Sequence, residues 1–162
     1  MGRTIIITGA TGKFGKILVR NFLIQGDVVI AIGRSKKKLN ELKTLKSKKY
    51  NKLFVINVDL MKEGAILRII KLIKKLKLKP DSLINNARNL DYLRLDKKNK
   101  TSSKNFLNEF KLGVVIPYQL VMAMTESFLG KFKNVVNIGS IYGTVAPNKK
   151  LYKNLDTESS IQ

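Results

Sequence analysis

Three isoleucines that break into regularly spaced glycines constrain the fold of this chain more than any other stretch: Thr4-Ile-Ile-Ile-Thr-Gly-Ala-Thr-Gly-Lys-Phe-Gly15. Ile5, Ile6 and Ile7 are β-branched and consecutive, which suits a parallel strand covered on both faces rather than one alternating between core and water. Gly9, Gly12 and Gly15 recur at every third position, with Thr11, Lys13 and Phe14 between them. Glycines so placed permit a tight turn, let the backbone approach a pyrophosphate, and let the following helix pack closely on the strand. The free N–H groups and positive dipole end of that helix would face the anion. A turn that binds nothing is the competing explanation. The order strand, glycines, amphipathic helix favours a phosphate-binding turn.

The 162 residues are 44% hydrophobic, enough for one domain with a core. The chain has neither cysteine nor histidine. That rules out disulfides and thiolate metal sites, removes the commonest acid-base residue, and leaves hydroxyls, lysines and carboxylates for any chemistry. A strand expected from residue 4 leaves no room for a signal peptide, and the apolar run Leu112 to Leu129 is interrupted by Pro117, Gln119 and Glu126. It reads as a core helix, and a cytoplasmic protein without a membrane partner is expected. The formal charge of +21 would attract polyanions. Its lysines are scattered over every expected helix, however, and no aromatic residues interleave with them. Solvated lysine faces are the favoured reading, and no specific nucleic-acid partner is expected.

A first helix over 14–25 carries Phe14, Ile17, Leu18, Phe22 and Leu23 at helical spacing. Val28 to Ile32 reads as a second buried strand running into Gly33-Arg34-Ser35, before a lysine-rich helix from Lys36 to Lys46. In a dinucleotide fold the end of this strand lies by the adenosine ribose, where a carboxylate accepts from a 2′-hydroxyl and an arginine accommodates a 2′-phosphate. Arg34 stands there, with Lys13 nearby in the glycine turn. This pattern favours NADP(H) over NAD(H).

Leu53 to Ile56 is a third strand, leading to Asp59-Leu60, and a helix from Glu63 to Lys77 sets Ile66, Ile69, Ile70, Ile73 and Leu76 on one face. Ser82 to Asn85 is a fourth strand opening into Asn86-Ala87-Arg88, followed by a polar stretch from Asn89 to Ser102 expected to be a mobile loop. A long helix from Ser103 to Leu129 should be kinked by Pro117. Asn134 to Ile138 is a fifth strand that delivers Gly139-Ser140. Alternating strands and helices with right-handed crossovers predict an α/β fold, a doubly wound parallel sheet. Ligands in such sheets bind beyond the carboxyl ends of the strands. The glycine turn, Arg34, Asp59, Asn86 and Ser140 are each expected at such an end.

These residues resemble the short-chain dehydrogenase/reductase family along essentially the whole chain. Thr8 to Gly15 looks like the family's cofactor-binding motif, in the spacing usual in its extended and atypical branches. Asp59-Leu60 resembles the pair that contacts the adenine ring. Asn85-Asn-Ala-Arg88 resembles the Asn-Asn-Ala-Gly motif that stabilises the sheet and lines the cofactor site through Asn86 and Ala87, with Arg88 departing. Asn137 to Gly143 looks like the strand delivering the catalytic serine, which the resemblance places at Ser140. The segment from Ser140 to Pro147 is also similar to a branch associated with acylneuraminate and flagellin-glycan synthesis, which implies a sugar-derived small-molecule substrate.

Two departures bear on activity. The family's helix asparagine, which holds a water of the proton relay, aligns with Gly113, and the family's Tyr-x-x-x-Lys is absent: four positions after Tyr50, Tyr92, Tyr118, Tyr142 and Tyr152 stand Phe54, Asp96, Met122, Ala146 and Asp156. A phenol of pKa about 10 needs such a lysine to act near neutrality. Tyr152 reads as a loop residue, because Asp156 would raise its pKa further. The expectation is a Rossmann domain over 1–162, incomplete at its C-terminal end, with its sixth and seventh strands missing. Its fifth strand would then be an apolar edge prone to self-association. Family members pair through the long helix and the one after it, so dimerisation is in doubt. Two functions follow: an NADP(H)-dependent oxidoreductase impaired in this form, or a non-catalytic NADP(H)-binding module.

Overall fold

A computed structural model describes residues 2–44, 52–96, 100–140 and 144. Five parallel strands, β1 (Thr4–Thr8), β2 (Val28–Gly33), β3 (Leu53–Asn57), β4 (Ser82–Asn85) and β5 (Asn134–Asn137), form one sheet in the order β3-β2-β1-β4-β5. The helices between them are α1 (Lys13–Ile24), α2 (Lys36–Lys43), α3 (Ala65–Lys75), α4 (Ser103–Phe110) and α5 (Ile116–Ser127). The fold is α/β and doubly wound, as the alternation of strands and helices predicts.

The isoleucine run explains the layers. Ile5 and Ile7 join Val19, Leu23, Leu39 and Leu42 of α1 and α2 on one face. Ile6, one residue out of phase, joins Ile69 and Ile73 of α3 and Leu120 and Met124 of α5 on the other. All three isoleucines are buried. Full burial of each contributes roughly 1.5–3 kcal/mol, so a one-residue slip of β1 would exchange its neighbours on both faces at once.

The chain winds from β1 outward to β2 and β3, then crosses back to place β4 on the other side of β1. This reversal sets the switch point between β1 and β4, where a crevice opens at the carboxyl ends.

Several expectations are corrected. Phe14 and Ile17 are about half exposed, 49% and 54%, and α1 instead buries Gly15, Val19 and Leu23. Gly15 lets the helix approach the turn so closely that its own stripe, i, i+4, i+8, meets the sheet. In α3, Ile69, Ile70 and Ile73 are buried but Leu76, at the C-cap, is exposed. The stretch after Asn89 is not simply a loop: Leu90–Leu93 forms a 3-10 turn that buries Leu93. The end expected at Lys46 for the second helix lies outside the described residues.

The long helix is irregular before Pro117 rather than at it. A π-helical turn, Lys111–Val115, separates α4 from α5. Proline has no N–H and its ring conflicts with the carbonyl four residues back, here Gly113, so a wider turn absorbs the mismatch. Helix α5 then ends at Ser127, two residues before the expected Leu129. Strand β5 is an exposed edge, with Val135 at 38% and Val136 at 47%. Ile138, expected within it, still donates its N–H to the Asn85 carbonyl at 2.9 Å.

Candidate nucleotide-binding site

Because all five strands are parallel, the residues that follow them share one rim of the sheet: Gly9 after β1, Arg34 after β2, Asp59 after β3, Asn86 after β4 and Ser140 after β5.

The glycine turn is locked to the end of β4. Gly9 has φ +62°, and a Cβ there would fall 2.7 Å from the Ala87 Cα and 2.9 Å from the Asn86 carbonyl oxygen. The buried Thr8 hydroxyl accepts from the backbone N–H of Asn86 at 3.0 Å and of Ala87 at 3.1 Å. The Asn86 side-chain amide donates back to the Thr8 and Gly9 carbonyls at 3.1 and 3.2 Å. Gly12 N–H closes the turn on the Gly9 carbonyl at 3.0 Å. Gly15 lies so close to Gly9 and Ala10 that a side chain would collide with their backbone.

Gly12 differs from its two neighbours. Its φ is −71°, and a Cβ would meet only the Gly9 oxygen, at an ordinary 3.4 Å. Nothing among the described residues demands glycine there. Gly12 caps α1 with no side-chain hydrogen bond, so the first-turn N–H groups, including those of Lys13 and Phe14, have no intrahelical acceptors. Thr11 packs on Gly33, at 3.2 Å from where a Cβ would stand, and so joins the turn to the end of β2. A pyrophosphate fits these features: a bare backbone at Gly12, free N–H groups, and the exposed Lys13 beside them.

Arg34, exposed beyond β2, donates to the Asn89 side-chain oxygen at 3.2 Å. Asp59 accepts from the Met61 N–H at 3.0 Å, and Leu60 is half-buried against the core. On the far side of β1, Asn85 is buried and donates to the Asn137 oxygen at 2.8 Å, which couples β4 to β5 just below Ser140. Its own Oδ1 is buried without a hydrogen-bond partner among the described residues. Ser140 is exposed at the strand end. Gly113 lines a small hollow with Asn85, Asn137 and Ile116, and a Cβ on it would meet nothing within 4 Å among the described residues.

Two features escape a reading of the sequence. Asn89 is 8% exposed, caps the 3-10 turn by accepting from Asp91 N–H at 3.3 Å, and holds Arg34 at the same time. Its capping position before Leu90 was the available signal. Arg88 Nε lies 3.5 Å from Glu109 Oε1 on α4, while Glu109 Oε2 is buried without a hydrogen-bond partner among the described residues. Burial pushes the Glu109 carboxyl above its ordinary value, against the opposing pull of Arg88. Tyr142 and Tyr152, and all but Ser140 and Thr144 of the segment to Pro147, lie outside the described residues.

A doubly wound sheet whose first strand-to-helix turn is built of glycine at the switch point defines a Rossmann-type nucleotide-binding fold. The family model for short chain dehydrogenase matches residues 3–152, and the chain belongs to the short-chain dehydrogenase family. Over 83 residues it is 34% identical to an NADP-dependent 3-hydroxy acid dehydrogenase of Escherichia coli, a match covering 51% of this chain and 32% of that protein. The crystal structure of serine dehydrogenase from Escherichia coli is 26% identical with a TM-score of 0.75, covering 90% of this chain and 65% of its own. A 4-hydroxyisoleucine dehydrogenase complexed with NADH is 26% identical, also at 0.75, covering 90% and 58%. The chain thus spans less than two thirds of each of these proteins. Among the described residues no helix is long and apolar enough to cross a membrane.

Proposed function

We propose that this chain is an NADP(H)-binding Rossmann domain of dehydrogenase ancestry, with the cofactor held along the rim from Arg34 to Ser140. The observation that carries the reading is the glycine turn itself: Gly9 and Gly15 are demanded by packing, whereas Gly12 is demanded by nothing among the described residues. A ligand that approaches the backbone at Gly12 accounts for it. Lys13 and the first turn of α1 hold the pyrophosphate, Arg34 the 2′-phosphate, and Asp59 and Leu60 border the adenine. Asn86 and Ala87 line the middle of the crevice. NADPH, when bound, supplies a hydride. Ser140 orients the carbonyl or hydroxyl of a small-molecule substrate, with a sugar derivative suggested by the Ser140–Pro147 segment.

The 162 residues contain no Tyr-x-x-x-Lys, so the family's tyrosine has no lysine one helical turn later to bring its pKa toward neutrality. This favours an oxidoreductase fold that binds cofactor and turns over little as this chain, with a non-catalytic NADP(H)-binding module as the alternative. The name of the Escherichia coli relative supports NADP, whereas one structural relative is complexed with NADH. Calorimetric titration with NADPH and NADH tests the reading. Saturable binding with NADPH preferred is the expected result. A folded chain that binds neither would overturn the proposal, and sustained reduction of any carbonyl substrate would overturn the part that requires the tyrosine-lysine pair.

A further inference from the structure

We infer that Arg68, on α3, is a second guanidinium for the 2′-phosphate of the adenosine and therefore a determinant of nucleotide preference; the inference rests on the nucleotide-binding reading above. Strands β2 and β3 end in register, Gly33 opposite Asn57. Arg34 and the loop after β3 consequently border one open groove, lined also by Asp59, Lys62, Gly64 and Arg68. Gly64, at φ +69°, turns the chain into α3, and a Cβ on it would meet nothing within 4 Å among the described residues. The groove therefore has room beside the first turns of α3, where Arg68 is exposed.

Charge pairing marks Arg68 out further. Arg3, Arg88 and Arg94 each have a carboxylate in ion-pair distance, respectively Asp27, Glu109 and Asp91. Arg20, Arg34 and Arg68 have none among the described residues, and of these three only Arg34 and Arg68 line the groove, beside Asp59 and Glu63. Asp59 Oδ1 is engaged by the Met61 N–H at 3.0 Å instead. Arg34 is held by the neutral Asn89 oxygen at 3.2 Å, which orients the guanidinium without neutralising it. Two arginines without an ion-pair partner among the described residues, and Lys62, thus line a groove that two carboxylates also line, an excess of one positive charge. A phosphomonoester offers close to two negative charges and three acceptor oxygens, which match planar guanidinium forks; a 2′-hydroxyl offers neither.

Competition between adenosine fragments isolates this site. The full chain would be titrated calorimetrically with 2′,5′-ADP and with 5′-AMP, for wild type, Arg68→Gln, Arg68→Lys and Arg34→Gln, with circular dichroism confirming each fold. Arg68→Gln should weaken 2′,5′-ADP by about tenfold, the loss of one charge-assisted contact, and leave 5′-AMP within about twofold. Arg68→Lys should recover part of the loss. If Arg34→Gln selectively weakens 2′,5′-ADP while Arg68→Gln changes nothing, or changes both fragments equally, the role of Arg68 is refuted and the cofactor reading stands. A folded wild type that does not prefer 2′,5′-ADP refutes both.

Discussion

Alanine at Gly9 and alanine at Gly12 should have opposite consequences, although the two glycines sit in one motif. At Gly9 the left-handed backbone, φ +62°, costs an L-residue about 1–2 kcal/mol. The new methyl would also stand 2.7 Å from Ala87 Cα and 2.9 Å from Asn86 O. Both neighbours are backbone, fixed by Thr8 bonds of 3.0 and 3.1 Å, so relief requires moving the end of β4 against β1. Overpacking of this kind costs about 1–3 kcal/mol. Together these predict a loss of about 2–5 kcal/mol, which for a chain of this length lowers Tm by about 4–20 °C. At Gly12 the backbone is ordinary, φ −71°, and the methyl meets only the Gly9 oxygen at 3.4 Å. The change there should stay under about 1 kcal/mol, the difference between glycine and alanine at a helix cap, while NADPH affinity falls by more than about tenfold as the methyl enters the anion's space. Thermal melts followed by circular dichroism, with calorimetry on the folded variants, separate the two. Should Gly9→Ala melt with wild type, or Gly12→Ala bind NADPH normally, the division between packing glycines and a ligand glycine is wrong.

Two carboxylates should give opposing pH dependences. Burial pushes Asp27 up, but Arg3 outweighs it through side-chain and backbone hydrogen bonds and holds the carboxyl below its usual value. Its stabilisation is therefore complete above the unfolded value of about 3.9 and is lost as pH falls through the lower folded value; Asp27→Asn should remove that acid-side fall in Tm. Glu109 is raised by burial, so the folded state favours its acid form and stability declines as pH rises from about 4.3 through the raised value. Glu109→Gln should flatten this limb of a Tm-against-pH curve. At the sheet edge, Val136, 47% exposed on β5, invites pairing with another chain. Val136→Lys should reduce self-association measured by sedimentation velocity at raised protein concentration, with little change in Tm; unaltered association would place the contact elsewhere.

The parts of this fold that were legible in the sequence are those in which one residue's chemistry decides its environment. Ile5 to Ile7 announce a strand covered on both faces because an apolar run without alternation has no solvated side. The rim was legible for a related reason: where every strand is parallel, whatever follows a strand arrives at the same edge. Helix rotation was not legible. A hydrophobic pattern weights Phe14 and Ile17 by size, whereas α1 is aimed by the absence of a side chain at Gly15, a property of close approach rather than of hydrophobicity. The polar partnerships were hidden too. Asn89 reaches Arg34 only because the crossovers bring separate rim segments together, and Glu109 reaches Arg88 only because α4 lies near the segment that follows β4. The same reasoning bears on the lysine surplus: charge excess counted along the chain cannot distinguish a solvated face from a groove. What singles out Arg34 and Arg68 is that carboxylates line the groove beside them and pair with neither, and that information exists only once β2, β3 and α3 are assembled.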